Sequence, residues 1–140
     1  MKKLIFAILL NLFFLNIGLA QELSINSKLI REKYNYEYEY NFKHYAVKEW
    51  GEDYAMVLFE INRQSDSFIE LINKLKSEHL SIFKNAILEW SREGYKEENL
   101  RKIREEGNSI FIMSKLIKLK TDWSMVKFEY DRQVKAKESF

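Results

Sequence analysis

Apolar positions recur at steps of three and four along most of the chain. From Trp50 the row runs Trp50, Tyr54, Val57, Ile61, Gln64, Phe68, Leu71 and Leu75, a heptad-like spacing that gathers side chains on one face of an α-helix. A second row in the same phase takes in Leu116, Leu119, Trp123, Val126, Tyr130 and Gln133. Gln64 and Gln133 stand where each stripe next requires an apolar residue, so each is a candidate polar specifier of register. Proline is absent, and only Gly51, Gly94 and Gly107 follow the first twenty residues. With so few breakers, long helices are expected.

The two rows sit in segments that nearly repeat one another. Asp53 to Gln64 reads DYAMVLFEINRQ and Asp122 to Gln133 reads DWSMVKFEYDRQ, identical at seven of twelve positions. Such a match predicts a short internal repeat (53–64 and 122–133), one helical end used twice. Each copy would lay Tyr54 or Trp123, Val57 or Val126, and Ile61 or Tyr130 into a shared core.

Three places offer breaks. Ser65-Asp66-Ser67 is one, with Glu70 at capping-box distance from Ser67. Ser91 to Lys96 is another, with Gly94 placed as a helix terminator and Glu97 and Glu98 suited to the positive end of the next helix. Gly107-Asn108-Ser109 is read as a kink, because apolar spacing continues across it. The expected fold is all-α: an elongated antiparallel bundle of about three long helices, 26–64, 67–91 and 97–136, running up-down-up. Its outer helices would be about 58 Å long at ~1.5 Å per residue. Short connections make neighbours antiparallel, so the first and third helices run parallel and the two segments would lie side by side. The competing arrangement is a two-helix hairpin, 43–91 against 97–136, whose uncovered apolar surface calls for a partner or a homo-oligomer.

One stretch departs from helical spacing. KYNYEYEYNF sets Tyr34, Tyr36, Tyr38, Tyr40 and Phe42 in strict alternation, the period of a strand. No partner strand is evident, and a lone strand leaves its backbone unsatisfied, which favours a helix with Tyr34, Tyr38 and Phe42 on one face and Tyr36 and Tyr40 on the next. The five rings then cover more surface than one core needs. They either cap the bundle with hydroxyls in water or form an exposed aromatic strip for a protein or glycan.

The first twenty residues, MKKLIFAILLNLFFLNIGLA, join two lysines, an apolar run and a small-x-small ending at Gly18 and Ala20. This is the pattern of a secretory signal peptide cleaved after Ala20, and Asn11 and Asn16 inside the run argue against a permanent anchor. Lys2 and Lys3 are its only charges, so the 23 basic residues fall to 21 and match the 21 acidic ones. A neutral chain of this kind gives no electrostatic footprint for nucleic acid. The remaining 21–140 suffice for a single domain, and without cysteine its stability rests on packing alone.

Tests for chemistry return little. His44 and His79 are the only histidines, neither preceded by Glu at three residues, so the Glu-x-x-His pairs of di-iron bundles are missing. Haem, zinc, phosphate-loop and nucleophile motifs are absent too. No catalytic, cofactor-binding or metal-ligating residue is expected. The repeated polar patch is the remaining candidate: Glu60, Arg63 and Gln64 in one segment, Glu129, Arg132 and Gln133 in the other. An Arg three residues on brings its side chain to the Glu and keeps the carboxylate ionised, unlike a general acid; parallel helices also offer an exchange of partners, Glu60 with Arg132 and Arg63 with Glu129. The expectation is an exported, non-enzymatic helical protein, periplasmic or secreted, acting by contact with a protein partner as a binding, inhibitory or immunity-type module. A ligand carrier or enzyme of unrecognised type, and an adhesin-like or chaperone-like protein, are the alternatives.

Overall fold

The structure, a computed structural model, describes residues 22–140. The expected leader at 1–20 lies outside the described residues. Seven α-helices follow one another, with no strand among the described residues: α1 (Ile25–Lys33), α2 (35–50), α3 (Tyr54–Lys74), α4 (Leu80–Glu89), α5 (Lys96–Glu106), α6 (Met113–Leu116) and α7 (Trp123–Glu138). Within α2, a π-helical stretch, Tyr38–Lys43, separates Asn35–Glu37 from His44–Trp50. No helix among the described residues is long and apolar enough to cross a membrane.

All-helical organisation is therefore correct, but neither the three long helices nor the long hairpin forms. The expected first helix, 26–64, is cut twice. Tyr34 leaves helical geometry at φ −133°, ψ 57°, and Gly51 takes φ +58°, a region that side chains with a Cβ rarely enter. Asp53 then caps α3, its carboxylate accepting from the Met56 N–H at 3.2 Å. The expected last helix, 97–136, stops where Gly107 takes φ +53° and is interrupted again by Ile112 in extended geometry. After the single turn of α6, a long helix resumes only at Trp123, capped by Asp122 at 3.2 Å from the Met125 N–H.

The expected break at Ser65-Asp66-Ser67 is not used. α3 runs straight through it for 21 residues. Ser65 is small enough to be buried there, while Asp66 accepts from Ser24 Oγ at 2.8 Å and Asn26 Nδ2 at 3.1 Å. Beside it, Asn62 Oδ1 accepts from the Ser24 N–H and Ser27 Oγ. These polar residues hold α1 down instead of starting a helix. The actual break comes at Leu75, extended at ψ 128°. The break expected at Ser91 to Lys96 is present, followed by the acidic first turn of α5 at Glu97 and Glu98, but Gly94 does not end the helix: α4 stops at Glu89 with Trp90 as its C-cap, and Gly94, at φ +84°, sits in the turn beyond.

Directions within the core follow from the contacts. Gln64 bonds the backbone of Trp123, Lys127 reaches Glu70, and Lys74 pairs with Asp131, so α3 and α7 are parallel. α4 runs the other way: an isolated antiparallel bridge joins Ser91 at its end to Thr121 before α7, and Lys137 near the end of α7 reaches the Glu78 carbonyl before α4. Phe68, Phe83 and Trp123 are buried between these three helices, with Phe68 4.7 Å edge-on to Trp123. Edge-on ring pairs of this kind add to area burial. Phe42 from α2 joins them through Phe68 at 6.2 Å. Of the expected stripe, Val57, Ile61, Phe68, Leu71, Trp123, Val126 and Tyr130 are buried. Tyr54 is not: as the first residue of α3, just after its Asp53 cap, it lies beyond the core, 77 % exposed.

Candidate functional site

The tyrosine-rich stretch is helical and divides by face. Tyr38 and Phe42, four residues apart, are buried, and Tyr34 packs against the core. Asn41 is buried beside them and donates from Nδ2 to the Ile117 carbonyl at 3.0 Å, fixing the π-helical turn against the segment before α7. Burial raises the Tyr38 hydroxyl above its usual value, with Arg31 opposing. Tyr36 and Tyr40 face outward, 69 % and 55 % exposed, with ring centroids 4.5 Å apart and planes tilted by 38°. The exposed row continues to Val47 over a shallow groove of about 330 Å³ lined by Glu39, Tyr40, Lys43, His44 and Val47. Glu39 and Lys43 pair at 3.5 Å along its edge. Underneath, Tyr45 is gripped by the Arg92 guanidinium 4.6 Å from its ring, a cation–π contact. The outward rings thus stand on a helix whose inner face is locked by packing and a long-range hydrogen bond.

The repeated polar patch splits into two unlike sites. Glu60 is 2 % exposed. It accepts from Arg63 Nε at 2.9 Å and Nη2 at 2.8 Å, and from Gln64 Nε2 at 3.1 Å. Gln64 also reaches across to α7, donating to Asp122 Oδ1 at 2.7 Å and accepting the Trp123 N–H at 2.7 Å. Asp122 further accepts from Ser124 Oγ at 2.8 Å and faces Arg92 at 3.8 Å. Burial would raise the Asp122 carboxyl, but Arg92, Gln64, Ser124 and Arg63 outweigh it and hold it below the usual range. Burial would likewise lower Arg63, and the bonds to Glu60 reverse the sign. In the other segment Glu129 accepts from Arg132 at 3.1 and 2.7 Å and from Gln133 at 3.0 Å. These bonds, Arg132's foremost, depress its carboxyl and raise Arg132 in turn.

Each segment therefore closes its own ion pair, and the exchange of Glu60 with Arg132 is not made. The parallel helices are staggered: Gln64, at the end of one segment, meets Asp122 and Trp123, at the start of the other. The segments lie about three helical turns apart along the axis, roughly 16 Å at ~1.5 Å per residue, instead of side by side. Sequence reasoning did not single out Asp53 and Asp122 as caps, although Gly51 two residues before Asp53 is a legible stop-and-start signal. The two histidines, which carry no metal motif in the sequence, differ in their surroundings. His44 is exposed, but His79 is buried at 3 %. Among the described residues no three His, Asp or Glu side chains are grouped to hold a metal.

No protein family matches the chain, and comparison with curated proteins and with solved structures likewise finds no match.

Proposed function

We propose that this chain is a non-enzymatic helical protein that acts by contact with a protein partner, through the exposed aromatic face of α2. The carrying observation is the outward pair Tyr36 and Tyr40, in mutual contact with rings tilted, exposed on a helix anchored from beneath. Tyrosine offers a large contact area with only two side-chain torsions to freeze, so a preset pair loses little entropy on docking. Glu39 and Lys43 beside the pair supply a polar rim of both signs. Glu60, Glu129 and Asp122 each have a guanidinium neighbour, which suits structural ion pairs better than proton transfer. The setting is export through residues 1–20, to the periplasm or beyond the cell.

The test is a pull-down from envelope extract with the mature protein beside the variant Tyr36→Ser/Tyr40→Ser, both verified as folded by circular dichroism. A partner retained by the native protein and lost by the variant is the expected result; equal recovery of every partner sinks the proposal. Intact-mass measurement of protein recovered from the envelope fraction tests the export setting, with a mature chain beginning at Gln21 expected.

A further inference from the structure

Far along the chain from α2, a cleft of about 280 Å³ opens between the end of α3, the turn before α4 and the last turns of α7, lined among others by Lys76, His79, Tyr130, Lys135 and Glu138. His79 is the unusual member. Its ring is buried edge-on to Tyr130 at 6.3 Å, and neither Nδ1 nor Nε2 has a hydrogen-bond partner. Buried polar atoms in native proteins are nearly always satisfied, so one that is not calls for an explanation. The nearest candidates are the Glu78 and Glu138 carboxylates, 3.7 and 3.9 Å from Nε2, too far for a hydrogen bond.

The surroundings favour an anion. Lys74, Lys76 and Lys135 line the cleft against Asp131 and Glu138, and Asp131 is taken up by Lys74. Glu78 does not line the cleft, but its carboxylate, 66 % exposed, stays 3.7 Å from Nε2, so an entering anion meets this one remaining carboxylate beside His79 as well as the lysines. Lys76 and Lys135 make no ion pair within 4 Å among the described residues. The Tyr130 hydroxyl accepts only a long bond, 3.5 Å, from the Lys76 N–H. Burial raises it above its usual value, so it keeps its proton and stands ready to donate. Glu138 is the weak point in the wall: it is the last residue of α7, its side chain is 60 % exposed, and it approaches His79 without bonding it.

We propose that this cleft binds a small oxyanion, a carboxylate or phosphate group, which enters between Lys76 and Lys135 and replaces the Glu138 carboxylate beside His79. Its oxygens accept from a ring N–H of His79, from the Tyr130 hydroxyl and from the two ammonium groups. The site shares no residue with the aromatic face, and the two proposals stand or fall separately.

The test uses the full chain. Sodium phosphate and sodium acetate are titrated separately, against sodium chloride at matched ionic strength, and amide shifts are followed by nuclear magnetic resonance. Saturable shifts at Lys76, His79 and Lys135 are expected with at least one anion, and the anion that saturates identifies the oxyanion. Lys76→Ala/Lys135→Ala, at two exposed positions that leave the core intact, should weaken binding at least tenfold, and Glu138→Gln should tighten it severalfold. Linear shifts with both anions overturn the site, as does unchanged affinity in the double lysine variant. A Glu138→Gln protein that binds no better than the native one overturns the displacement.

Discussion

The segments Asp53–Gln64 and Asp122–Gln133 share seven residues and one local chemistry, yet they live in different surroundings. Both start helices by the same aspartate cap, and both close the same bidentate Glu–Arg pair with a glutamine amide on the carboxylate. Beyond that they diverge. The first opens on an exposed Tyr54 and ends buried, with Gln64 locked onto the start of α7. The second opens buried on Trp123 and ends in solvent, with Gln133 exposed. Met56 is buried and Phe59 half-buried, whereas Met125 is half-buried and Phe128 exposed. Local interactions set by spacing are the same wherever the segment is placed; what each is worth depends on where the helix sits.

Matched substitutions are the means to break this comparison. The largest difference is expected at the first aromatic position. Trp123→Ala should cost about 3–5 kcal/mol, the range for deleting a buried aromatic, whereas Tyr54→Ala should stay within about 0.5 kcal/mol. Urea unfolding followed by circular dichroism measures both, and comparable losses would contradict the asymmetry. Next comes the acid of the polar patch. Glu60→Gln removes a buried charge that Arg63 and Gln64 share and should cost about 2–3 kcal/mol, while Glu129→Gln should leave the midpoint nearly unmoved. Charge reversal at Glu60 combined with reversal at Arg132 should give additive losses; recovery in the double variant would restore the cross-pairing that the stagger rules out.

The smallest expected effect is on the acid limb of the stability profile. The folded Asp122 carboxyl lies below its unfolded value of about 3.9, with Arg92 and Gln64 the main forces set against burial. Its contribution is therefore complete above that value and is lost as pH falls through the folded pKa. Asp122→Asn should flatten the fall in Tm between neutral pH and the acid transition. A limb parallel to that of the native protein would show that the cap carries no such linkage.

Much of the helical content was legible because apolar spacing survives interruption. Leu71, Leu116 and Trp123 all face one core although turns separate their helices, so the periodicity reads as longer helices than exist. Gly51 was visible in the sequence as a breaker, and its pairing with Asp53 two residues later marks a stop followed by a cap. Ser65-Asp66-Ser67 misled for the opposite reason. Its chemistry suits a helix start, but Ser24 and Asn26, some forty residues earlier, claim Asp66. Gln64 belongs to the same class: it looks like a polar fault in the stripe until the chain returns with Trp123. The two outward tyrosines were readable from spacing, while the π-helical turn beneath them depends on Asn41 meeting Ile117, 76 positions away. Residues whose partners are distant carry no local signal of their role.

The bond from the Trp123 N–H to Gln64, 59 positions apart, also bears on the order of folding. Nucleating a helix is the costly step, since several dihedrals must be fixed before the first turn is rewarded. Part of the first turn of α7 is held by a side chain displayed on α3, so α7 gains that help only after α3 has formed and the long intervening loop has closed. Translation delivers α3 first. The last helix is thus templated by an earlier one, and a peptide spanning α7 alone should be markedly less helical than the same residues in the full chain.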